Sequence, residues 1–220
     1  VFVATGGGQP RLWLRPLDTV AAQPMAGTEG GSFPFWSPDS RSVGFFAEGK
    51  LKRVDIGGLP QTLANASLGR GGAWTPDGAI FFSPTGGGPL FRVPAAGGAV
   101  VALTKLQENQ TSHRFPHMLP DGRRFLFYST GAAGVHGTYL GSLNSPETKL
   151  LVATDLAASY LQPGWLLSVR QGTLVAWRFD LSAAEVVGDP LTVADPVGFD
   201  NISTAGAFSV SATGLIAYRS

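Results

Sequence analysis

The sequence predicts an all-β protein, a β-propeller built of four-stranded antiparallel blades. A short turn motif, an apolar residue followed by Ser, Thr or Leu and then by Pro-Asp-Gly, returns along the chain. Asp39 and Asp77 are 38 residues apart, and Asp77 and Asp121 are 44 apart, which suits the period of propeller repeats. Between the turns stand short apolar runs of strand length, and no helix of useful length is predicted.

The composition predicts one folded domain, residues 1–220, made of many short elements. Hydrophobic residues make up 44% of the chain, enough for a core, while 30 Gly and 16 Pro punctuate it. The formal net charge is +1, so we expect no nucleic-acid partner. The absence of Cys excludes disulfides, thiol catalysis and Cys-ligated zinc, and it leaves the compartment open.

The repeated motif is interpreted as a hairpin turn. Its Pro presets φ for the first central position, its Asp accepts backbone hydrogen bonds, and its Gly takes the left-handed conformation that follows. The clearest copies contain Trp36, Pro38 and Asp39; Trp74, Pro76, Asp77 and Gly78; and Pro120, Asp121 and Gly122. Worn copies occupy residues 161–165 and 210–215. These carboxylates are assigned to turns rather than to calcium, because each lacks acidic companions.

Each copy of the motif is followed by an apolar strand, then by a third and a more polar fourth strand. The predicted blades are 31–68, 69–110, 111–155 and 156–200, flanked by a partial blade at 1–30 and another at 201–220. Together, the two partial blades would contain more strands than a single four-stranded blade. We therefore expect five to six blades, and a fragment of a six-bladed or larger propeller whose parent chain carries further, covalently linked domains.

The motifs Trp36-Ser37-Pro38-Asp39 and Trp74-Thr75-Pro76-Asp77-Gly78 resemble the repeat of the TolB-like, WD40-like propeller family. The longer stretches 70–78, 112–125 and 207–220 resemble the C-terminal propeller region of bacterial eukaryotic-like serine/threonine kinases. That resemblance implies a cytoplasmic kinase domain joined by a membrane helix to an exported repeat domain. The chain departs from the repeat at Ser40, which replaces the turn Gly, at Ala79, and at 162–164, where the Asp is lost.

Catalysis is not expected within this segment. It contains no Gly-rich phosphate loop with its strand Lys, no His-Arg-Asp loop and no Asp-Phe-Gly, so a kinase's chemistry would lie elsewhere in the parent chain. No Gly-x-Ser-x-Gly elbow surrounds a Ser, and no His and acid are arranged as a triad. No cofactor is predicted.

Four residues are candidates for contact with a ligand. His113 and Arg114 stand at the first strand of a blade, which borders the central channel of a propeller and its wider face. Phe33 and Arg70 are further candidates. The alternative for Arg114 is a structural pairing between blades. A metal site at His113 and His117 is disfavoured: an extended strand would place both on one face, but no third ligand is evident.

The large residues at the motif are interpreted as packing residues. Trp36, Trp74 and Met118 recur at equivalent places, and we expect them in the core between blades. The alternative is a sugar-stacking surface.

Three functions remain open at this point. The first is a non-catalytic propeller that binds a protein, a peptide or a small polar ligand on one face, as the exported sensor region of a bacterial serine/threonine kinase. The second is a periplasmic TolB-like scaffold that docks an envelope protein. The third is the gating propeller of a prolyl-oligopeptidase-like hydrolase, or a lactonase-like propeller with a channel metal. The lactonase-like propeller is disfavoured, because a channel metal needs several Asp, Glu, Asn or His ligands and the inner-strand ends are mostly Phe, Ala, Gly and Leu. No direct membrane insertion of this segment is expected, because no apolar run of spanning length occurs.

Overall fold

The computed structural model describes residues 1–220, and all of its regular structure is β-strand. Every pairing of neighbouring strands is antiparallel, and four sheets have four strands each, in chain order. The predicted all-β propeller fold with four-stranded antiparallel blades is confirmed. The chain divides into two compact units, residues 1–103 and 104–220. Neither unit contains a helix that could cross a membrane.

The first unit holds one three-stranded and two four-stranded sheets. Their strands are β1 (Phe2–Ala4), β2 (Arg11–Leu14), β3 (Gln23–Pro24); β4 (Ser32–Trp36), β5 (Ser42–Ala47), β6 (Lys50–Asp55), β7 (Gln61–Asn65); and β8 (Gly72–Trp74), β9 (Ala79–Phe82), β10 (Phe91–Pro94), β11 (Val101–Ala102).

The second unit holds two four-stranded sheets and two hairpins. Their strands are β12 (Gln110–Met118), β13 (Arg124–Gly131), β14 (Gly137–Ser142), β15 (Ser145–Val152); β16 (Ser159–Leu161), β17 (Trp165–Arg170), β18 (Thr173–Asp180), β19 (Glu185–Ala194); β20 (Phe199–Asp200), β21 (Ala205–Gly206); and β22 (Phe208–Val210), β23 (Ile216–Tyr218). The sequence did not predict the β20–β21 hairpin.

The turn motif has the predicted mechanism, with an added role for the residue before Pro. Ser37 donates its hydroxyl to Asp39 at 2.6 Å, and the same oxygen accepts the backbone N–H of Ser42 at 2.9 Å. Ser40 takes the left-handed conformation (φ 57°) that Gly78 takes in the next copy (φ 82°). The hydroxyl thus bridges the two strands of the hairpin, which explains why Ser or Thr precedes Pro in both copies.

The most degraded copy forms the same turn. Ser211 accepts the backbone N–H groups of Gly214 and Leu215 through its carbonyl at 3.2 Å and its hydroxyl at 3.0 Å. Gly214 has a φ of 89°. The turn therefore survives the loss of both Pro and Asp, because the hydroxyl and the Gly are retained.

The core lies between neighbouring sheets. The second strand of each four-stranded sheet is apolar and buried on both faces, and Phe45, Phe81 and Phe127 are at most 1% exposed. Phe35 closes the space between two sheets of the first unit: its ring lies over Gly44 of β5 and Gly72 of β8, where no β-carbon would fit. Small residues on these strands thus let the sheets stack closely.

The prediction that Trp36 belongs to the core is wrong. Its side chain is 38% exposed, because the neighbouring Phe35 occupies the space between the sheets instead. Trp74 is half-buried against the first unit's core, with the Arg53 guanidinium 5.9 Å from its ring centroid. Met118 is also only partly buried. The residue at this motif position therefore does not fill the centre of the core.

Candidate functional site

The candidate site lies at one end of the second unit, where its loops gather. β12 begins and β13 ends at this edge of the sheet, with Gln110 opposite Gly131, and β15 ends there opposite the start of β14. We use the name loop end for this edge together with three neighbouring segments: the 153–158 connection, the β17–β18 turn and the β20–β21 hairpin. Loops at the ends of a rigid sheet are the usual carriers of binding residues.

Arg114 links strand β12 to the β20–β21 hairpin at the loop end. Its Nε donates to Ser112 Oγ at 2.9 Å, and its Nη1 donates to the carbonyl of Ile202 at 3.3 Å. It stands opposite Tyr128 in the β12–β13 register, and Tyr128 donates its hydroxyl to the Asp155 carbonyl at 2.8 Å. Arg114 thus has the structural pairing that the sequence left open, and its partner is a backbone carbonyl in the β20–β21 hairpin.

The Tyr128 hydroxyl is held in its neutral form. Burial raises its pKa to about 12, the negative charge of Asp155 acts in the same direction, and the positive charge of Arg114 opposes both. A neutral hydroxyl remains a hydrogen-bond donor, so it secures the 153–158 connection to the sheet.

His113 is a packing residue in this structure. It is 0% exposed and lies 4.4 Å from the Phe127 ring, centroid to centroid. Gln110 Oε1 accepts the Gln107 N–H at 2.8 Å, so the Nε2 of His113, 2.9 Å from that oxygen, must carry the proton. Its Nδ1 then accepts the Thr104 hydroxyl at 2.8 Å. Both ring nitrogens are engaged, and burial lowers the His113 pKa to about 4.

His113 and His117 lie on opposite faces of the sheet, so the prediction that they share a face is wrong. A register shift between Arg114 and His117 places His113 opposite Ser129 and His117 opposite Leu126. The cause is a bulge at Phe115, whose φ is 49° and which precedes Pro116. An odd offset along β13 reverses the face. The two imidazoles therefore cannot share a metal ion.

Phe33 and Arg70 lie in the first unit. Phe33 is the counterpart of Phe115: its φ is 46°, Pro follows it, and the register shifts beside it. Its ring packs against the core of the first unit. Arg70 donates Nη1 to the Gly69 carbonyl at 3.1 Å, while its buried Nε has no hydrogen-bond partner. The four predicted candidates are thus divided between the two units, two in each.

The structure contains a cavity that the sequence did not indicate. It has a volume of about 230 Å³ and opens at the loop end, between the 153–158 connection, the β17–β18 turn and β20. We call it the loop-end cavity; it is lined by Asp155, Leu156, Val169, Gln171, Phe199 and Asn201. None of these residues stands in the repeated motif, so no sequence signal grouped them.

A second concavity, about 560 Å³, lies at a motif turn of the first unit and is wide open. Its two carboxylates already serve the turn, since Asp39 accepts from Ser37 and Asp55 accepts from Ser42, each at 2.6 Å. Hydrogen bonding from Ser37 and Ser42 respectively is the main reason that both carboxyl pKa values lie below their usual range. These acids are part of the fold rather than a site.

Comparisons with known proteins identify the fold. No family model matches the chain, and no curated protein matches it. Among solved structures, TolB from Acinetobacter baumannii has a TM-score of 0.66 and 18% identity over 80% of this chain and 48% of that one. A putative TolB from Agrobacterium tumefaciens has a TM-score of 0.57 and 21% identity, covering 71% of this chain and 60% of that one.

A third similar structure is regucalcin, a calcium-binding protein from Agrobacterium tumefaciens, with a TM-score of 0.62 and 17% identity over 86% of this chain and 66% of that one. The chain spans only about half of the length of TolB from Acinetobacter baumannii. Similarity at this level of identity concerns the fold alone. The chain has a β-propeller fold similar to that of TolB.

Proposed function

We propose that this chain is a non-catalytic binding domain that presents the loop end of its second unit to a partner, as the exported sensor region of a bacterial serine/threonine kinase. The network of Arg114, Tyr128 and the carbonyls of Asp155 and Ile202 carries the proposal. It braces the 153–158 connection and the β20–β21 hairpin against a rigid sheet, and such bracing lowers the entropic cost of binding. A cavity opens among the same loops.

The partner is a protein, a peptide or a small polar ligand. The loop end combines exposed polar groups with the exposed apolar side chains of Phe199 and Ile202, which are 46% and 82% exposed. Such a mixture is typical of interaction surfaces. The likeness to TolB favours an exported location, and the kinase assignment rests on the sequence stretches 70–78, 112–125 and 207–220.

A periplasmic scaffold that docks an envelope protein is the second candidate, and the likeness of the fold to TolB favours it. The reading frame on both sides of this chain separates the two. Kinase motifs followed by a membrane helix upstream would support the sensor, whereas a signal peptide alone would support the scaffold. A downstream Gly-x-Ser-x-Gly elbow would contradict both.

The functional test compares autophosphorylation of the full-length membrane protein with that of two variants. Arg114→Ala releases the β20–β21 hairpin from β12 and is expected to change the kinase response by severalfold. The matched control is Arg92→Ala, because Arg92 is an exposed cation on β10 of the first unit. Equal responses from both variants would refute a role for the loop end.

A further inference from the structure

We propose that the loop-end cavity binds a small organic cation, an ammonium group on a short alkyl stem. The inference rests on the proposed binding function and names the ligand class of the same surface. Three properties of the lining carry it: an unpaired carboxylate, an exposed aromatic ring and an apolar floor.

The carboxylate is that of Asp155. The residue is exposed, and none of the ion pairs of the structure includes it. The backbone of this residue is held against the sheet, because its carbonyl accepts the Tyr128 hydroxyl at 2.8 Å. An unpaired carboxylate that lines a cavity attracts a cation without first having to release another one. Its charge already acts locally, since it helps to raise the pKa of Tyr128.

The aromatic ring is that of Phe199. It is 46% exposed on the short strand β20, and its near edge lies against Gly172, where an added β-carbon would be 3.7 Å from Cε1. Gly172 has a φ of 84°, so a side chain is disfavoured there and the space beside the ring stays open. An ammonium group near an aromatic face gains a cation–π interaction that strengthens as water is excluded.

The floor and rim set the size and shape of the ligand. Leu156 and Val169 are 2% and 1% exposed and form an apolar floor that suits methylene groups. The exposed side-chain amides of Gln171 and Asn201 supply carbonyl oxygens that accept hydrogen bonds from an ammonium group. At about 230 Å³, the cavity is smaller than the pockets that take drug-sized ligands. A single short alkylammonium group fits this description.

The positive charge of the nearby Arg114 does not reverse the preference of the loop-end cavity for a cationic ligand. Arg114 directs its guanidinium to Ser112 Oγ and to the Ile202 carbonyl, and it is not among the residues that line the cavity. A second carboxylate, that of Asp200, lies next to Phe199 in the chain and accepts the Ile202 N–H at 2.8 Å. The charged side chain that lines the cavity is that of Asp155.

The test titrates the 220-residue chain with n-butylammonium, n-butanol and butyrate, monitored by backbone amide chemical shifts. n-Butylammonium is expected to shift the amides of Gln171 and Asn201 and to bind at least fivefold more tightly than n-butanol. Asp155→Asn keeps the carbonyl that Tyr128 uses and should abolish that preference. The control Asp189→Asn changes an exposed carboxylate of β19 that does not line the cavity, and it should leave the preference intact.

A variant without the aromatic ring and a comparison of the three probes test the cation assignment further. Phe199→Leu keeps an apolar side chain but removes the ring, and it should weaken n-butylammonium severalfold while n-butanol is unaffected. Equal binding of all three probes, or tighter binding of butyrate, would overturn the cation assignment. Such a result would not affect the kinase test of Arg114→Ala. If Arg114→Ala leaves the kinase response unchanged while n-butylammonium still binds, the sensor function alone is contradicted.

Discussion

Substitution of Gly72 by Ala tests how the sheets of the first unit are packed. A β-carbon on Gly72 would lie 2.6 Å from Cζ of Phe35, about 1 Å closer than carbon atoms pack comfortably. The ring cannot move away, because its other side rests on Gly44, where an added β-carbon would also overlap it. Gly72 does not have a positive φ, so the backbone itself accepts Ala. The expected loss in free energy of unfolding is about 2–3 kcal/mol from overpacking.

The measurement is urea unfolding followed by tryptophan fluorescence. Gly8→Ala is the matched control, because nothing lies within 4 Å of an added β-carbon there and its φ is not positive; its effect should stay within about 0.5 kcal/mol. In a Phe35→Leu background the cost of Gly72→Ala should fall below about 1 kcal/mol, since the smaller side chain leaves room. Equal effects of Gly72→Ala and Gly8→Ala would refute the proposed packing of the ring.

Three further predictions concern the second unit. Burial lowers the pKa of His113 to about 4, so the unfolded chain binds a proton there first, and this residue should remove about 3 kcal/mol from the free energy of unfolding as the pH drops from 6.5 to 4. Burial also lowers the pKa of His117 to about 4, so His113→Gln should reduce the slope in urea titrations by about half of the contribution of the two imidazoles. Tyr128→Phe removes the bond to the Asp155 carbonyl and should cost about 1 kcal/mol with faster amide exchange at 153–158, whereas the exposed Tyr218→Phe should do neither. Asp121→Ala removes the acceptor of two backbone N–H groups and should lower the free energy of unfolding by about 1 kcal/mol at pH 7. Burial raises the pKa of Asp121, but its hydrogen bonds lower that pKa overall, so the cost of the substitution should vanish as the pH falls through the lowered pKa. A cost that persists at lower pH would contradict the role of the carboxylate.

The propeller fold could be predicted because its signal is local. In the turn around Asp39, the hydroxyl of Ser37, the carboxylate and a left-handed residue are within six positions of each other, so the chemistry of the turn can be read directly from the residues. The strands between the turns follow from their apolar runs, as in Ser42–Ala47, where every residue is buried. Local geometry repeated at a regular interval is sufficient to predict a repeat architecture.

The candidate site could not be predicted in the same way, because it depends on irregular strands. Phe115 forms a bulge before Pro116, and this one residue moves His117 to the face opposite His113. Strict alternation along β12 assigned both imidazoles to one face. The place of His113 in the first strand of a blade suggested contact with the channel, although the fold buries it. Alternation holds only while the register is continuous, and Phe-Pro in a first strand is a sequence signal that the register shifts.

The loop-end cavity shows a second limit, since its residues come from segments that are distant in sequence. Asp155 follows one sheet, Gln171 is in a turn of the next, and Phe199 begins a hairpin that has no motif. The Tyr128 and Arg114 hydrogen bonds tie the 153–158 connection and the hairpin to neighbouring strands, and the Ala157 N–H donates to the Thr204 carbonyl between these two segments at 3.1 Å. Arg114 was predicted as a ligand contact, and its observed role is to position the loops around a cavity. A basic residue at the first strand of a blade should therefore be examined first for carbonyl groups in the next hairpin, and only then for an external anion.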